Sequence, residues 1–340
     1  MWQLQNSPGR TCLINGKEFL FFSGYSYLGM NHVEEFINYV KEGIDKYGIL
    51  FPSSRISNTR LGLYDEFENY LSALTGLEDT VTFSSGFLAG KTIAEILSSY
   101  KNIFIAPSAH PAIVINTAIK SNSQTFEEWL QQSITAINAS EENEFVLIAD
   151  SINIMESVVH DFSFLQNIKA VKKIIFLIDD SHAIGILGKA GEGIISQLPQ
   201  KNNLDYIITF SLSKAFSIAG GAVSCSKEFA AKLRQHPNYS GSTSISPGFV
   251  HAFLSGKNLY ASQREKLFKN IEYLKANTPS SLKENKTLLP IFICKDEKAE
   301  TAFYQKNIII SSFAYPHPYS KKVNRVIINA LHTNADIDRL

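Results

Sequence analysis

The chain has 340 residues, enough for one large domain with a sizeable core or for a large and a small domain together. Apolar residues make up 44% and charged residues 19%, ordinary for a soluble globular protein and unlike a disordered or membrane-spanning one. The 32 Lys and Arg balance the 32 Asp and Glu, so no overall field favours nucleic acid or an anionic membrane, and self-association is permitted.

The N-terminal MWQLQNSPGR lacks a basic segment followed by an apolar run, and no stretch approaches the ~18–20 apolar residues of a membrane helix. Cys12, Cys225 and Cys294 are odd in number and far apart, with no CxxC pair, which fits free thiols in a reducing compartment. The expectation is a soluble cytoplasmic protein without a metal site. Residues 1–50 read as an N-terminal arm with a helix over 34–46, and residues 51–247 as a large domain. The turn FSSGFLAG (83–90) opens a helix over 87–100, in which Leu88, Ile93, Ile96 and Leu97 fall near one face. Backbone N–H groups at such a helix start can hold a phosphate, although a plain cap at Ser84 or Ser85 is the commoner role.

Apolar runs then mark strands at 102–106 (NIFIA), 145–150 (FVLIAD), 174–179 (IIFLID), 206–211 (YIITFS) and 222–225. Each is apolar on both alternating faces, as in a strand covered by helices on both sides, and a helix is expected over 111–120. The pattern predicts an α/β fold around a mostly parallel central sheet. His110, in PSAHPAI, is a lone histidine near a strand end, for which a structural role is the default. In FLIDDSHAIG (176–185) an apolar strand ends at Asp179, with His182 three positions on. At the carboxyl end of a doubly wound sheet Asp179 would face the ligand crevice, where it could bind a metal, act as a base, pair with a cationic ring nitrogen, or simply meet solvent. In ITFSLSKAFSIAGG (208–221) Lys214 follows a strand end among small residues, Ser211, Ser213 and Ala215. Most lysines are solvated surface charges, but here a bulky ligand can approach and partial burial can tune the amine into an imine-forming nucleophile. YSGSTSISPG (239–248) reads as a loop or linker, and residues 248–340 as a smaller α/β domain with a helical stretch and strands at 288–294 and 325–329.

A phosphate turn, a strand-end Asp and a strand-end Lys together are what a pyridoxal 5'-phosphate site requires: an anchor, a partner for the pyridine nitrogen and an imine-forming amine. At this point the residues resemble the α-oxoamine synthases among the fold-type-I pyridoxal-phosphate transferases. The motifs are YLG at 27–29, SSGF at 84–87, IDDSHAIGILGKAGEG at 178–193 and SLSKAFSIAGG at 211–221, and the likeness runs from about residue 9 to the final DIDRL. The resemblance implies a cofactor Schiff base on Lys214, Asp179 on the ring nitrogen and His110 stacked on the ring. It implies His182 on the phenolic oxygen, and Ser85, Gly86, Phe87 and Ser211 around the phosphate. Thr243 falls where a neighbouring subunit donates a phosphate contact, implying a homodimer with shared sites, and Arg325 where an amino-acid carboxylate is gripped. The implied reaction condenses a small amino acid with an acyl thioester, with decarboxylation; the alternatives are another reaction of the same fold type, such as transamination, or cofactor binding without turnover. Departures from the family pattern gather on the acyl side: Tyr25 stands in place of an Asn, Tyr64 near a usual His, Asp150 in place of a Glu, and the segment around SRISNTRLG differs in length.

Overall fold

The computed structural model describes residues 2–107, 109–314, 319–320 and 322–340. The chain opens with strands β1 (Thr11–Ile14) and β2 (Lys17–Phe22), then helices α1 (Glu34–Tyr47) and α2 (Gly62–Thr75). Strand β3 (Asp79–Phe83) feeds helix α3 (Gly86–Leu97), followed by β4 (Ile103–Ile105), β5 (Ile119–Lys120), α4 (Phe126–Ala139) and β6 (Glu144–Asp150). A short ribbon of β7 (Ile152–Asn153) and β8 (Val158–Val159) precedes β9 (Lys173–Asp179), β10 (Leu204–Ser211) and β11 (Gly221–Cys225). Helices α5 (Lys227–Gln235), α6 (Pro237–Gly241), α7 (Pro247–Ser255) and α8 (Lys257–Ala276) follow. The chain ends with β12 (Ile291–Ile293), α9 (Ala299–Gln305), β13 (Ile308–Ala314), β14 (Lys322–Ile327) and α10 (Asn334–Ile337).

The central sheet has seven strands in the order β3-β11-β10-β9-β6-β4-β5. Its β5, β4, β6, β9 and β10 run parallel, and β11 is antiparallel to both β10 and β3. The apolar runs of these strands divide by alternation between two cores, because successive side chains point to opposite faces. Leu147, Phe176, Ile178, Ile208 and Phe210 pack on one face with Phe67 of α2, Trp129 of α4 and Phe253 of α7. Val146, Ile148, Leu177, Ile207 and Val223 pack on the other with Ile93 and Leu97 of α3 and Phe229 and Leu233 of α5. Helices therefore cover both faces, which is why β6, β9 and β10 are largely apolar on both; on one face of β3 and β11, Thr80, Thr82 and Ser224 are buried and hydrogen-bonded instead.

A second sheet, ordered β1-β2-β13-β14-β12, joins the two ends of the chain. Residues 11–22, expected within an N-terminal arm, form two of its strands, with β2 running parallel to β13. Two expectations are corrected. Residues 111–118 form turns leading into β5 rather than a helix. Pro111 and the β-branched Ile113, Val114, Ile115 and Thr117 disfavour helix, and burial of Ala112, Ile113 and Ile115 is met without one. The supposed linker 239–248 is a loop only over 242–246, because Tyr239 lies in α6 and Pro247 occupies the first turn of α7, where proline's fixed φ is favourable. Among the described residues no helix is long and apolar enough to cross a membrane.

Candidate active site

The parallel strands end together, so the residues after them share one edge of the sheet. Asp150 and Asp179 close β6 and β9 in register with each other, which stands two carboxylates side by side. Asp179 Oδ1 accepts the N–H of Ser181 at 3.0 Å, and its Oδ2 lies 3.8 Å from His110 Nδ1. Asp150 Oδ1 accepts the backbone N–H of His110 at 3.1 Å, fixing the histidine loop beside the acids. Burial, followed by the charge of Asp179, raises the Asp150 carboxyl well above the ordinary range. Asp180 is turned into the core, where Oδ2 accepts the N–H of Ile194 at 3.1 Å and burial pushes its pKa up to about 8.

Strand β10 ends at Ser211, and the loop behind it is closed by Leu212 N–H donating to Gly220 O at 3.0 Å and Ser217 N–H donating to Lys214 O at 3.2 Å. This loop presents Lys214 to the acidic edge. Burial lowers the Lys214 ammonium pKa, opposed by Asp179, Asp150 and Asp180 in that order. Two cavities, of about 440 and 540 Å³, share Lys214, His110, His182 and Ile154 in their walls. The first also takes Asp150 and Asp179, with Phe126, Glu127 and His160 farther out. The second is mostly apolar, with Phe21, Ile309, Ile310 and Ile327, and carries Arg325.

His182 Nδ1 lies 2.8 Å from the Tyr27 hydroxyl. Burial, then Lys214, Arg325 and His110, lower its pKa well below the usual value, so the ring is neutral. Arg325, on β14, is 4% exposed. It donates from Nη1 to Ile154 O at 3.2 Å, with the guanidinium 4.7 Å from the centre of the Phe313 ring. Its Nε is buried without a hydrogen-bond partner, and among the described residues no carboxylate pairs with it. Burial of this unpaired cation lowers its pKa.

Ser85 caps α3, its Oγ accepting Leu88 N–H at 3.1 Å. The amides of Gly86 and Phe87 in the first turn have no intrahelical acceptor, the arrangement that suits an anion. Gly86 packs directly on the end of β10: a Cβ there would lie 2.7 Å from Ser211 Cβ. The hydroxyl of Ser211 meets that of Ser213 at 2.8 Å, and its N–H donates to Ser181 Oγ at 2.9 Å. Ser85, Gly86, Phe87 and Ser211 thus sit together at the strand ends, outside the walls of the two cavities, with the Phe87 side chain 54% exposed. Thr243 is exposed in the 242–246 loop and lines neither cavity, so within one chain the fold does not bring it to Lys214.

The chain matches the family model described as aminotransferase class I and II over residues 18–340. It belongs to the class I and II aminotransferase family. As a member of that family it is similar to 8-amino-7-oxononanoate synthase of Thermosipho melanesiensis, 25% identical over 98% of this chain and 90% of the relative. A putative 8-amino-7-oxononanoate synthase of Rippkaea orientalis is 28% identical over 79% of this chain and 72% of its own. Among solved structures, serine palmitoyltransferase of S. paucimobilis with a bound PLP–myriocin aldimine superposes with a TM-score of 0.81 at 20% identity, covering 99% of this chain and 89% of that one. The 8-amino-7-oxononanoate synthase of Francisella tularensis gives 0.74 at 24% identity, covering 94% and 95%. These class I and II family likenesses carry the fold-type-I architecture, and they are the relatives that the YLG, SSGF and SLSKAF motifs pointed to.

Two features of the site were not assigned a role from the motifs. Tyr27 was visible only as the first residue of YLG, and its contact with His182 spans 155 positions of sequence. Asp150 stood out as a departure, yet its grip on the His110 amide depends on the register of β6 against β9.

Proposed function

We propose that the chain binds pyridoxal 5'-phosphate on Lys214 and condenses a small amino acid with an acyl thioester such as an acyl-coenzyme A, releasing thiol and carbon dioxide. The observation that carries this reading is the meeting of two cavities at Lys214, one lined by Asp179 and the other by the unpaired Arg325. The residues fit the cofactor: a glycine cradle with free amides at α3 for its phosphate, a carboxylate at Asp179 for its ring nitrogen, and an amine depressed by burial. When bound, the cofactor supplies an electron sink for negative charge developing at the amino-acid Cα.

The chain's own residues do the rest. Asp179 would hold a proton on the ring nitrogen, keeping the ring electron-poor so that it can accept the negative charge developing at Cα. His110, whose loop is tethered by Asp150, would offer its flat imidazole face to that ring. Arg325 holds the amino-acid carboxylate with a planar fork, relieving its own unpaired burial. Lys214 Nζ would be the base that takes the Cα proton. The apolar wall of the larger cavity would keep water from the reacting carbon as the bond from Cα to the thioester carbonyl forms and the C–S bond breaks to release the thiol. The carboxylate then leaves as carbon dioxide by cleavage of its bond to Cα, and Cα regains a proton. His182 and the Gly86, Phe87 and Ser211 group complete the cofactor contacts. Thr243 lies too exposed to act within its own chain, and we take it to reach the phosphate of a second copy in a homodimer. The unit carrying the cofactor is residues 51–247, with 1–50 and 248–340 around it.

The test is a free-thiol assay over a panel of acyl-coenzyme A donors and small amino acids. Thiol release that requires both substrates and the cofactor supports condensation. Consumption of the amino acid in the presence of a keto acid, with no thiol released from any donor, would replace condensation with transamination.

A further inference from the structure

The Tyr27 hydroxyl is 2.8 Å from His182 Nδ1 in a region where Tyr27 is 2% exposed. Either group could carry the shared proton, and the neighbours decide which. Burial raises the Tyr27 hydroxyl pKa and lowers that of His182, so both groups are neutral and exactly one proton lies between them. If Nδ1–H donated to the hydroxyl, the tyrosine proton would need a second acceptor, and the Tyr27 hydroxyl has no other hydrogen-bond partner among the described residues. A buried O–H without an acceptor costs on the order of 1–3 kcal/mol. With the hydroxyl as donor, the Tyr27 O–H has its acceptor, and the imidazole proton is left on Nε2 rather than on the nitrogen that faces Tyr27. That nitrogen has no partner among the described residues, and the ring lines both cavities that meet at Lys214.

The segment holding Tyr27 is itself fixed. Tyr27 O accepts the N–H of Ala330 at 2.9 Å, and Leu28 O accepts from Gln263 Nε2 at 2.9 Å. Gly29 has φ of +63°, and a Cβ there would lie 2.5 Å from Leu331 Cγ. The three residues of YLG therefore have separate physical duties: contact with the site, burial in the core, and close approach to the C-terminal segment.

We propose that Tyr27 is a positioning residue: its hydroxyl donates to His182 Nδ1 and so holds the imidazole as a neutral Nε2–H donor toward the Lys214 cavities. The charged and titratable groups around His182 are Lys214 from the loop after β10, Arg325 from β14, His110 from the loop after β4, and Tyr27 itself. The three that carry or can carry positive charge all oppose protonation of the ring. A neutral ring can present a donor to an anionic oxygen only from a fixed tautomer, and Tyr27 fixes it. That the oxygen is the phenolic one of pyridoxal phosphate rests on the function proposed above; the tautomer does not.

The decisive experiment is a two-bond 15N–1H correlation spectrum of the cofactor-free protein labelled at histidine nitrogens, with His182→Asn to assign the signal. The wild type is expected to show the Nε2–H pattern at neutral pH, and Tyr27→Phe to lose it in favour of Nδ1–H or an averaged signal. An Nδ1–H wild type, a ring protonated at neutral pH, or an unchanged Nε2–H pattern in Tyr27→Phe overturns the proposal. In the cofactor-loaded protein, Tyr27→Phe is expected to raise the pH at which the bound chromophore changes its visible band. Loss of one hydrogen bond to a charged oxygen corresponds to about one pH unit. An unmoved transition overturns the link to the cofactor. A protein that shows the Nε2–H pattern yet takes up no pyridoxal phosphate instead overturns the proposed function, leaving the Tyr27 assignment standing.

Discussion

Replacing Arg325 with methionine separates a binding role from a structural one. Arg325 is 4% exposed, and among the described residues its guanidinium donates to Ile154 O at 3.2 Å, makes a long, weak hydrogen bond to Met155 Sδ at 3.8 Å, and lies 4.7 Å from the centre of the Phe313 ring. A hydrogen bond from a charged group contributes roughly 1.5–3 kcal/mol, and a desolvated cation–π contact about 2 kcal/mol. Against these stands the desolvation of an unpaired buried cation, which is several kcal/mol even after relaxation. The terms nearly cancel, so Arg325→Met should leave the cofactor-free protein as stable as the wild type or up to ~2 kcal/mol more stable. For a chain of this size ~1 kcal/mol moves Tm by roughly 2 °C. The amino-acid carboxylate, in contrast, loses its charged partner, at about 3–5 kcal/mol, or roughly 10²–10⁴-fold in Kd. Differential scanning calorimetry without cofactor and spectral titration of the loaded protein with amino acid measure the two effects. A fall in Tm beyond ~5 °C together with unchanged amino-acid affinity would show that Arg325 serves the fold.

Asp180→Asn tests the buried acid through the pH dependence of stability. The Asp180 carboxyl titrates at about 8 in the fold, against an ordinary value of 3.8. Between those values the folded chain keeps a proton that the unfolded chain releases, so this group makes stability fall as pH rises, by at most ~1.4 kcal/mol per unit. The asparagine variant should lack that slope and gain on the wild type between pH 5 and pH 8 in urea unfolding; parallel curves would place the pKa of Asp180 near its ordinary value. For assembly, sedimentation at micromolar concentration should show a dimer, with cofactor stabilising it by linkage, and Thr243→Ala should weaken cofactor binding. A monomer that binds the cofactor with wild-type affinity would return Thr243 to an exposed loop residue.

The central strands were legible because they lie under helices on both faces, so 145–150, 174–179 and 206–211 carry uninterrupted apolar runs. Lys214 and Asp179 were legible because each follows such a run, and the carboxyl ends of parallel strands must converge. Residues 111–120 misled because their apolar positions have helical spacing, while the β-branched content and Pro111 that oppose helix are weaker signals than burial. The β1–β2 hairpin had a signal that went unused: Asn15 and Gly16 adopt φ of 50° and 73°, the Asn-Gly turn that joins two antiparallel strands. Tyr27 over His182 was out of reach, since it depends on how the end of the chain at Ala330 holds its beginning.

Borohydride reduction of the pyridoxal-phosphate-loaded protein, followed by peptide mapping, tests the central claim most directly. Lys214 is the amine that both cavities share and that burial depresses, so the reduced cofactor should be found on the peptide carrying Lys214, and Lys214→Ala should yield none. A cofactor adduct at full stoichiometry on any other lysine, retained in Lys214→Ala, would contradict the account.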